Sequence, residues 1–97
     1  MPKLTLAPLA REDIKALGRY TQKTWGVVQR DRYLGQLAQV LDRLAAGQQP
    51  AQDRSDLRPG LLSCRFRRHI IFFRRDPAGN VAVLRLLHER MDPDRHV

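Results

Sequence analysis

The chain contains little cysteine and no long apolar run, and each absence excludes a class of protein. Its one cysteine, Cys64, excludes an internal disulfide and a zinc site built from several cysteines. No apolar stretch approaches the roughly 20 residues that cross a bilayer. The first residues, MPKLTLAPLARED, turn polar before the apolar segment of a signal peptide could form. We therefore expect a protein of the reducing cytoplasm, and 97 residues predict one domain over residues 1–97.

Negative charge is also scarce, and the positive charge is almost all arginine. Eighteen basic residues stand against ten acidic ones, which gives a net charge of +8, and fifteen of the eighteen are arginine. Residues 57–75 hold six arginines and no acid. Since a guanidinium suits carboxylates and phosphates, this charge favours an acidic protein segment or a nucleic acid as a partner. The plainer alternative is a soluble protein from an arginine-rich proteome.

Two amphipathic helices are predicted in the first half of the chain. Pro8 suits a first helical turn, and an apolar face at three- and four-residue steps predicts a helix over residues 8–24 that ends at Gly26. That face carries Ala10, Ile14, Leu17, Thr21 and Trp25. The second helix has an apolar stripe formed by Tyr33, Leu34, Leu37, Val40, Leu41 and Leu44. It ends near Gly47, and the short connection at Gly26 predicts an antiparallel helical hairpin.

Strand patterns lie on both sides of this hairpin. Residues 3–6 alternate polar and apolar side chains and predict a short edge strand. After a polar, proline-bearing loop at 48–59, the segments LLSCRF, HIIFFRR and VAVLRLLH are rich in β-branched and aromatic residues, and DPAGN at 76–80 has turn chemistry. The order β-α-α-β-β-β predicts an α+β fold, with the helical hairpin packed on one face of an antiparallel sheet.

Alternation along residues 64–75 sorts the sheet into two faces. The more apolar face, which we expect beneath the helical hairpin, carries Cys64, Phe66, Ile70 and Phe72. The opposite face mixes arginines with apolar side chains of the last two strands, namely Ile71, Phe73, Val81, Val83 and Leu87. Apolar area with a basic rim is typical of a protein-binding groove, so this second face predicts a partner surface. The alternative is that the C-terminal residues fold back over it.

A pair of histidines raises the possibility of catalysis. His69 and His88 lie on neighbouring predicted strands, and two facing histidines beside an arginine could cleave RNA by general acid–base chemistry. However, a five-residue DPAGN loop would pair Arg75 with Val81 and His69 with Leu87, which turns His88 to the other face. A slip of one residue would join the histidines but would also turn one strand's apolar side chains over. We therefore expect no catalytic residue.

Metal and cofactor sites are not expected either. His88, Asp92 and His96 follow a four-residue spacing, but Pro93 interrupts any helix that would align them. Cys64 lies among arginines that could lower its pKa, although a lone cysteine in a strand is usually a small buried residue. Nothing in the sequence matches a phosphate-binding glycine loop or a dinucleotide fingerprint.

Several strings of the sequence resemble the ParE toxins of the RelE/ParE superfamily, nearly from end to end. They are LAREDIKALGRYTQKTWG, LRPGLLSCRFRRHIIFFRR and LLHERMDPDRHV, and the final LH-x-x-MD is the most specific. The matching residues are Tyr20, Trp25, Gly26, Tyr33, Arg58, Pro59, Gly60, His69, Leu87, His88, Met91 and Asp92. The resemblance implies a RelE/ParE-like fold and the toxin of a type II toxin–antitoxin module. Such a toxin inhibits DNA gyrase and is neutralised by a ParD-like antitoxin with an acidic amphipathic tail.

Two sets of contact residues follow from these expectations. Polar residues near the C-terminus and arginines of the sheet are predicted to contact the target, because a core does not require them. They are Arg58, Arg65, Arg67, Arg85, His88, Arg90, Met91 and Asp92. The apolar residues predicted to bind the antitoxin are Ile71, Phe73, Val81, Val83 and Leu87.

Two other functions remain open at this point. RelE-like cleavage of messenger RNA on the ribosome uses lysines and arginines around the sheet and a tyrosine near the C-terminus. Here the lysines are Lys3, Lys15 and Lys23, in the first quarter of the chain, and the tyrosines, Tyr20 and Tyr33, lie on the predicted helices. A non-catalytic basic module that binds nucleic acid fits the charge but leaves the apolar groove unexplained.

Overall fold

The structure is a helical hairpin on one face of a five-stranded sheet. The computed structural model describes residues 3–97. Its elements are β1 (Leu4–Leu6), α1 (Pro8–Trp25), α2 (Val27–Ala45), β2 (Gln52–Asp53), β3 (Leu62–Phe66), β4 (His69–Arg75), β5 (Val81–His88) and a 3-10 helix (Pro93–Arg95). The strand order is β1-β5-β4-β3-β2, in which β1 is parallel to β5 and the other pairs are antiparallel.

The predicted α+β fold is confirmed, with two differences in the sheet. The edge strand β1 pairs in parallel with β5, so the sheet is mixed where an antiparallel one was predicted. The segment predicted as a loop at 48–59 contains the two-residue strand β2, which pairs with β3. Such a short strand lacks a periodic pattern that the sequence could reveal.

Gly26 forms the turn between the two helices. Its φ of 93° and ψ of 173° belong to a backbone region that is essentially restricted to glycine. Its N–H donates to the Gln22 carbonyl at 2.8 Å, and its carbonyl accepts from the Arg30 N–H at 3.0 Å. One residue therefore closes α1 and opens α2, as the sequence predicted for the end of α1.

The main hydrophobic core lies between the hairpin and one face of the sheet. The helices contribute Ala10, Leu17, Leu37, Val40 and Leu44, and the strands contribute Cys64, Phe66, Ile71, Phe73, Val81, Val83 and Leu86. The apolar stripe predicted on α2 is thus confirmed, with Leu41 partly buried at its edge. The hairpin and sheet bury each other's apolar faces, which neither could do alone.

The predicted assignment of the two sheet faces is wrong for β4. The tight turn after β3 makes Phe66 and His69 cross-strand partners, so the two residues between them interrupt the alternation. Arg67 in this turn has a positive φ of 55°. Cross-strand partners share a face, and Ile71 therefore lies beside Cys64 under the helices.

As a consequence, the apolar groove predicted on the opposite face does not exist in the part of the chain that the structure describes. Four of the five residues predicted to bind the antitoxin, Ile71, Phe73, Val81 and Val83, are fully buried in the main core. The fifth, Leu87, is buried in a second cluster on the opposite face, with Leu61 and Phe72. The residues that cover this cluster are Leu57, Ile70, Leu84 and Val97. The alternative expectation, that C-terminal residues fold back over this face, agrees with the position of Val97.

A β-bulge in β5 changes the register toward the end of the sheet. Arg75 pairs with Val81 as predicted, and Phe73 pairs with Val83, but Phe72 pairs with Arg85 and leaves one extra residue on β5. Such an insertion shifts every later pair by one position. His69 consequently lies opposite His88, so the predicted pairing of His69 with Leu87 is wrong.

The packing of α2 gives a first testable prediction. Leu44 is 0% exposed in the main core, and truncating such a leucine typically costs roughly 2–5 kcal/mol. We expect Leu44→Ala to lower the free energy of unfolding in urea by that amount, whereas Gln39→Ala, at an exposed position of α2, should leave it nearly unchanged. Equal stabilities of the two variants would contradict the described packing.

Two glycines of the hairpin should respond to alanine in opposite directions. At Gly26 the backbone conformation strains any other residue by roughly 1–3 kcal/mol, so Gly26→Ala should destabilise the protein. At Gly35, inside α2, a new Cβ would meet no described atom within 4 Å, and Gly35→Ala should stabilise by roughly 0.5–1 kcal/mol. Thermal melts of the two variants test this, and a stabilising Gly26→Ala would show that the turn is formed differently.

Candidate functional site

A groove lies between the helical hairpin and the end of the sheet where β4 begins and β5 ends. It has a volume of about 950 Å³. The residues lining it, which define the hairpin groove, are Asp13, Ala16, Leu17, Tyr20, Thr21, Trp25, Gln29, Arg32, Tyr33, Gln36, Arg67, Arg68, His69, Leu86, His88 and Met91. Both helices, the β3–β4 turn and the end of β5 therefore contribute to one site.

The hairpin groove has an exposed apolar side. Tyr20 and Trp25 on α1 are 66% and 68% exposed, and Met91 after β5 is 38% exposed. Trp25 lies just before the turn at Gly26, where the end of the hairpin is solvent-exposed from residue 22 to residue 29. The sequence predicted Trp25 on the apolar face of α1 without indicating that this end of the face stays open. Grouped exposed aromatic side chains mark interaction sites on soluble proteins.

Arginines form the other side of the hairpin groove. The Arg67 guanidinium lies 5.7 Å from the centre of the Tyr33 ring and donates a hydrogen bond to the Gln36 side chain. Burial raises the pKa of Tyr33, although the charge of Arg67 opposes this, so the phenol stays neutral at pH 7. Arg32 and Arg68 are exposed on the same rim. The groove thus combines apolar contact area with cationic donors.

The acid that lines the groove, Asp13, is fully engaged within the protein. Its carboxylate accepts from Arg85 Nε at 2.8 Å, from Arg85 Nη2 at 3.0 Å and from the Leu86 N–H at 3.0 Å. The Arg85 guanidinium also donates to the His96 carbonyl at 3.2 Å. The hydrogen bond with Asp13 raises the pKa of Arg85. The side chains of this pair are only 15% and 16% exposed, so Arg85 serves to hold the structure.

His69 and His88 lie side by side in the groove as a result of the bulge in β5. Their ring centres are 5.3 Å apart with an interplanar angle of 81°. His88 Nδ1 accepts from the Arg90 N–H at 3.1 Å, whereas His69 Nδ1 is buried without a hydrogen-bond partner in residues 3–97. Burial and then the neighbouring His88 lower the pKa of His69, and Glu89 partly opposes this.

The arrangement of His69 and His88 bears on whether the two rings could act as an acid and a base in catalysis. General acid–base cleavage of a phosphodiester needs an acid and a base on either side of the reacting group, whereas the two imidazole rings are in edge-to-face contact with each other. Cys64 is no better placed as a nucleophile, because burial raises the pKa of its thiol to about 11. The possibility of a lowered pKa for Cys64 is therefore wrong, and its interpretation as a small buried residue is confirmed.

The residues predicted to contact a target occupy different surroundings. Arg67, His88 and Met91 line the hairpin groove, while Arg85 is the buried partner of Asp13. The remaining four lie outside the groove: Arg58, Arg65, Arg90 and Asp92.

Several of these outer residues have partners near the C-terminus. Arg65 forms an ion pair with Glu89 at 2.7 Å, which lowers the pKa of that carboxyl, and Arg58 lies 3.8 Å from Asp94. The Asp92 carboxylate accepts from the Asp94 N–H at 3.1 Å and so caps the 3-10 helix. The C-terminal segment is therefore held against the sheet.

The sequence missed much of the groove, in particular Arg32, Arg68 and the exposed state of Tyr20 and Trp25. One signal was available for Trp25, because a residue next to a one-glycine turn lies at the end of a helical layer.

Within residues 3–97, no helix is both long and apolar enough to cross a membrane. The same residues contain no group of three or more His, Cys, Asp or Glu side chains that could hold a metal ion.

Comparison with known proteins gives consistent results. Residues 4–93 match the sequence model of the family described as ParE toxin of type II toxin-antitoxin system, parDE. Over 92 residues the chain is 38% identical to Toxin ParE of Escherichia coli, covering 95% of this chain and 89% of that one. It is 34% identical over 92 residues to Toxin ParE1 of Mycobacterium tuberculosis, covering 95% and 94%.

Its fold is similar to that of a chain described as chromosomal ParDE TA system from P. aeruginosa, with a TM-score of 0.75, coverage of 91% and 96%, and 18% sequence identity. That similarity supports the fold, while the family match over most of the chain and the two relatives above 30% identity establish the family. The resemblance inferred from the sequence is confirmed: the chain belongs to the ParE toxins of type II toxin–antitoxin systems.

Proposed function

We propose that this ParE toxin inhibits DNA gyrase in the cytoplasm by binding it, without catalysis, and that a ParD-like antitoxin neutralises it by occupying the hairpin groove. Family membership supports the gyrase target and the antitoxin. The observation that supports the site is the groove itself, in which the exposed Tyr20 and Trp25 face a rim of arginines.

The chemistry of the groove fits an acidic amphipathic helix. Its apolar side chains would pack on Tyr20, Trp25 and Met91, and its carboxylates would meet Arg32 and Arg68. An amphipathic helix in a groove is a common mode of peptide recognition. The apolar contacts would supply most of the affinity, and the net charge of +8 would mainly accelerate the encounter.

The residues first predicted to bind antitoxin would act indirectly. Ile71, Phe73, Val81 and Val83 fill the core beneath the hairpin, so they fix the position of the helices that form the groove. A partner bound in the groove has no access to them in this conformation. We therefore assign antitoxin contact to the hairpin groove in their place.

The proposed target surface overlaps with the groove. Arg67, His88 and Met91 line the groove, and Arg90 and Asp92 are exposed next to them in sequence. We propose that these five contact gyrase, together with Arg58 and Arg65, whereas Arg85 only supports the segment. An antitoxin in the groove would then cover part of the target surface, and neutralisation would follow from direct masking.

The antitoxin site can be tested at Trp25. A buried tryptophan at the centre of an interface often contributes 2 kcal/mol or more, roughly a thirtyfold change in Kd. We expect Trp25→Ala to weaken binding of the proposed ParD-like antitoxin by roughly that factor, mainly through faster dissociation. Leu9→Ala provides a matched control, because Leu9 is an exposed apolar residue of α1 outside the groove. If calorimetry finds equal antitoxin affinities for the two variants, the hairpin groove is excluded as the antitoxin site.

The target surface can be tested at Arg90. Reversing an exposed charge at an interface should weaken association roughly tenfold or more. We expect the wild-type toxin to inhibit gyrase supercoiling, and Arg90→Glu to require correspondingly higher concentrations. Arg19→Glu, an exposed change on α1, should inhibit like the wild type. A messenger RNA cleavage assay with ribosomes runs in parallel, and cleaved RNA with unaffected gyrase would identify a RelE-like ribonuclease.

A further inference from the structure

The contact between His69 and His88 is a feature of the hairpin groove that has no role yet in antitoxin binding. A strand without the bulge at residue 84 would place Leu87 opposite His69, so the adjacent imidazoles depend on an irregularity of β5. Both rings line the groove together with its apolar residues Leu17 and Leu86. Polar side chains placed among apolar ones in a groove are typical of a position that recognises one polar group of a ligand.

His69 has hydrogen-bonding capacity that the free protein does not use. Its Nδ1 is buried and has no partner among residues 3–97, and an unpaired buried polar atom is unfavourable. A partner's carboxylate can therefore reach His69 only on the part of the ring that lines the groove. His88 differs, because its Nδ1 already accepts from the Arg90 N–H at 3.1 Å. Of the two rings, His69 is therefore the one with a nitrogen that has no partner among the described residues.

The carboxylates near the pair are committed elsewhere. The charged and titratable groups around it are Asp13 and Tyr20 from α1, Arg32 and Tyr33 from α2, Arg67 and Arg68 from the turn, and Glu89 after β5. Asp13 is held by Arg85 and the Leu86 N–H. Glu89 is held by Arg65 at 2.7 Å and lies 3.9 Å from Arg68. The groove thus presents cationic side chains beside the imidazole pair, and the one acid in its lining, Asp13, is already paired.

We propose that the His69–His88 pair receives one carboxylate of the bound antitoxin and that His69 takes up a proton when it does so, which makes neutralisation dependent on pH. The proposal rests on antitoxin binding in the hairpin groove. It adds a specific requirement for the partner, namely an aspartate or glutamate on the face that packs against Leu17 and Leu86. The step is a proton transfer, in which an N–H bond forms on the imidazole and a hydronium ion of the solvent loses that proton and becomes water.

The direction of the pH dependence follows from linkage. In the free toxin, burial and then the neighbouring His88 hold the pKa of His69 below 6.5, and an adjacent carboxylate would raise it. Affinity should therefore increase as the pH falls. This gain in affinity is complete below the pKa that His69 has in the free toxin. It is lost as the pH rises through the pKa that His69 has in the complex. Each unit by which binding raises that pKa corresponds to about a tenfold change in Kd.

The proposal can be tested by calorimetry with the intact toxin and its proposed ParD-like antitoxin, at several pH values between 6 and 8. Titrations at one pH in phosphate and in Tris, which differ in ionisation enthalpy, report the protons taken up. We expect the wild type to take up a fraction of a proton, up to one, and to bind more tightly at lower pH. His69→Asn should bind with little proton uptake and a nearly flat Kd. His96→Asn is the matched control, because His96 lies on the C-terminal segment outside the groove, and it should behave like the wild type.

The outcomes separate this inference from the proposed function. If wild-type and Trp25→Ala toxins bind equally well, the groove is not the antitoxin site and both proposals fail. If Trp25→Ala weakens binding but proton uptake is absent, or persists unchanged in His69→Asn, only the histidine inference is overturned. Should His69→Asn not fold, NMR titration of the wild-type imidazoles gives the answer. A His69 midpoint that rises on antitoxin binding supports the proposal, and one that stays fixed or falls overturns it.

Discussion

The carboxylate of Asp13 is the contact on which the shape of the site depends. It binds Arg85 and the Leu86 N–H immediately after the bulge in β5, and so fixes the shifted register against α1. Through Arg85 the same contact reaches the His96 carbonyl. A largely buried ion pair contributes less to stability than its geometry suggests, because both charges lose their hydration. Its contribution here is positional, since it joins the first helix, the last strand and the C-terminal segment at the edge of the hairpin groove.

Local patterns in the sequence were enough to predict both helices and four of the five strands, but not β2 or the 3-10 helix. The apolar stripes of the helices, the glycine at position 26 and the β-branched runs of the strands each depend on neighbours within a few residues. Assigning side chains to the two faces of the sheet required more information. The alternation seen in β3 can be continued into β4 only if the conformation of the turn between the two strands is known. The turn that pairs Phe66 with His69 and the extra residue at 84 are set by cross-strand contacts, which a single sequence does not reveal.

The candidate site was predictable in composition but not in position. The sequence indicated a basic protein with an apolar partner surface, and the structure has a groove with exposed aromatic side chains and arginines on the helical side of the sheet. The prediction failed for Phe73 and Val83 because their side chains were assigned to the sheet face opposite the helices and were therefore expected to be exposed. That assignment depended on the conformation of the β3–β4 turn. It failed for Arg85 because a charged residue was assumed to face solvent, although one carboxylate, Asp13, suffices to hold it inside.

The outer edge of the sheet limits how copies of this toxin can associate. The short strand β2 pairs with β3 only at Leu62 and Ser63, which leaves the segment around Arg65 as an open edge with Arg54 in the adjoining loop. Open edges invite strand addition, and charged side chains discourage it. With a net charge of +8, two free toxins meeting at this edge would repel each other. Charge at this edge therefore opposes the growth of two copies into a shared sheet.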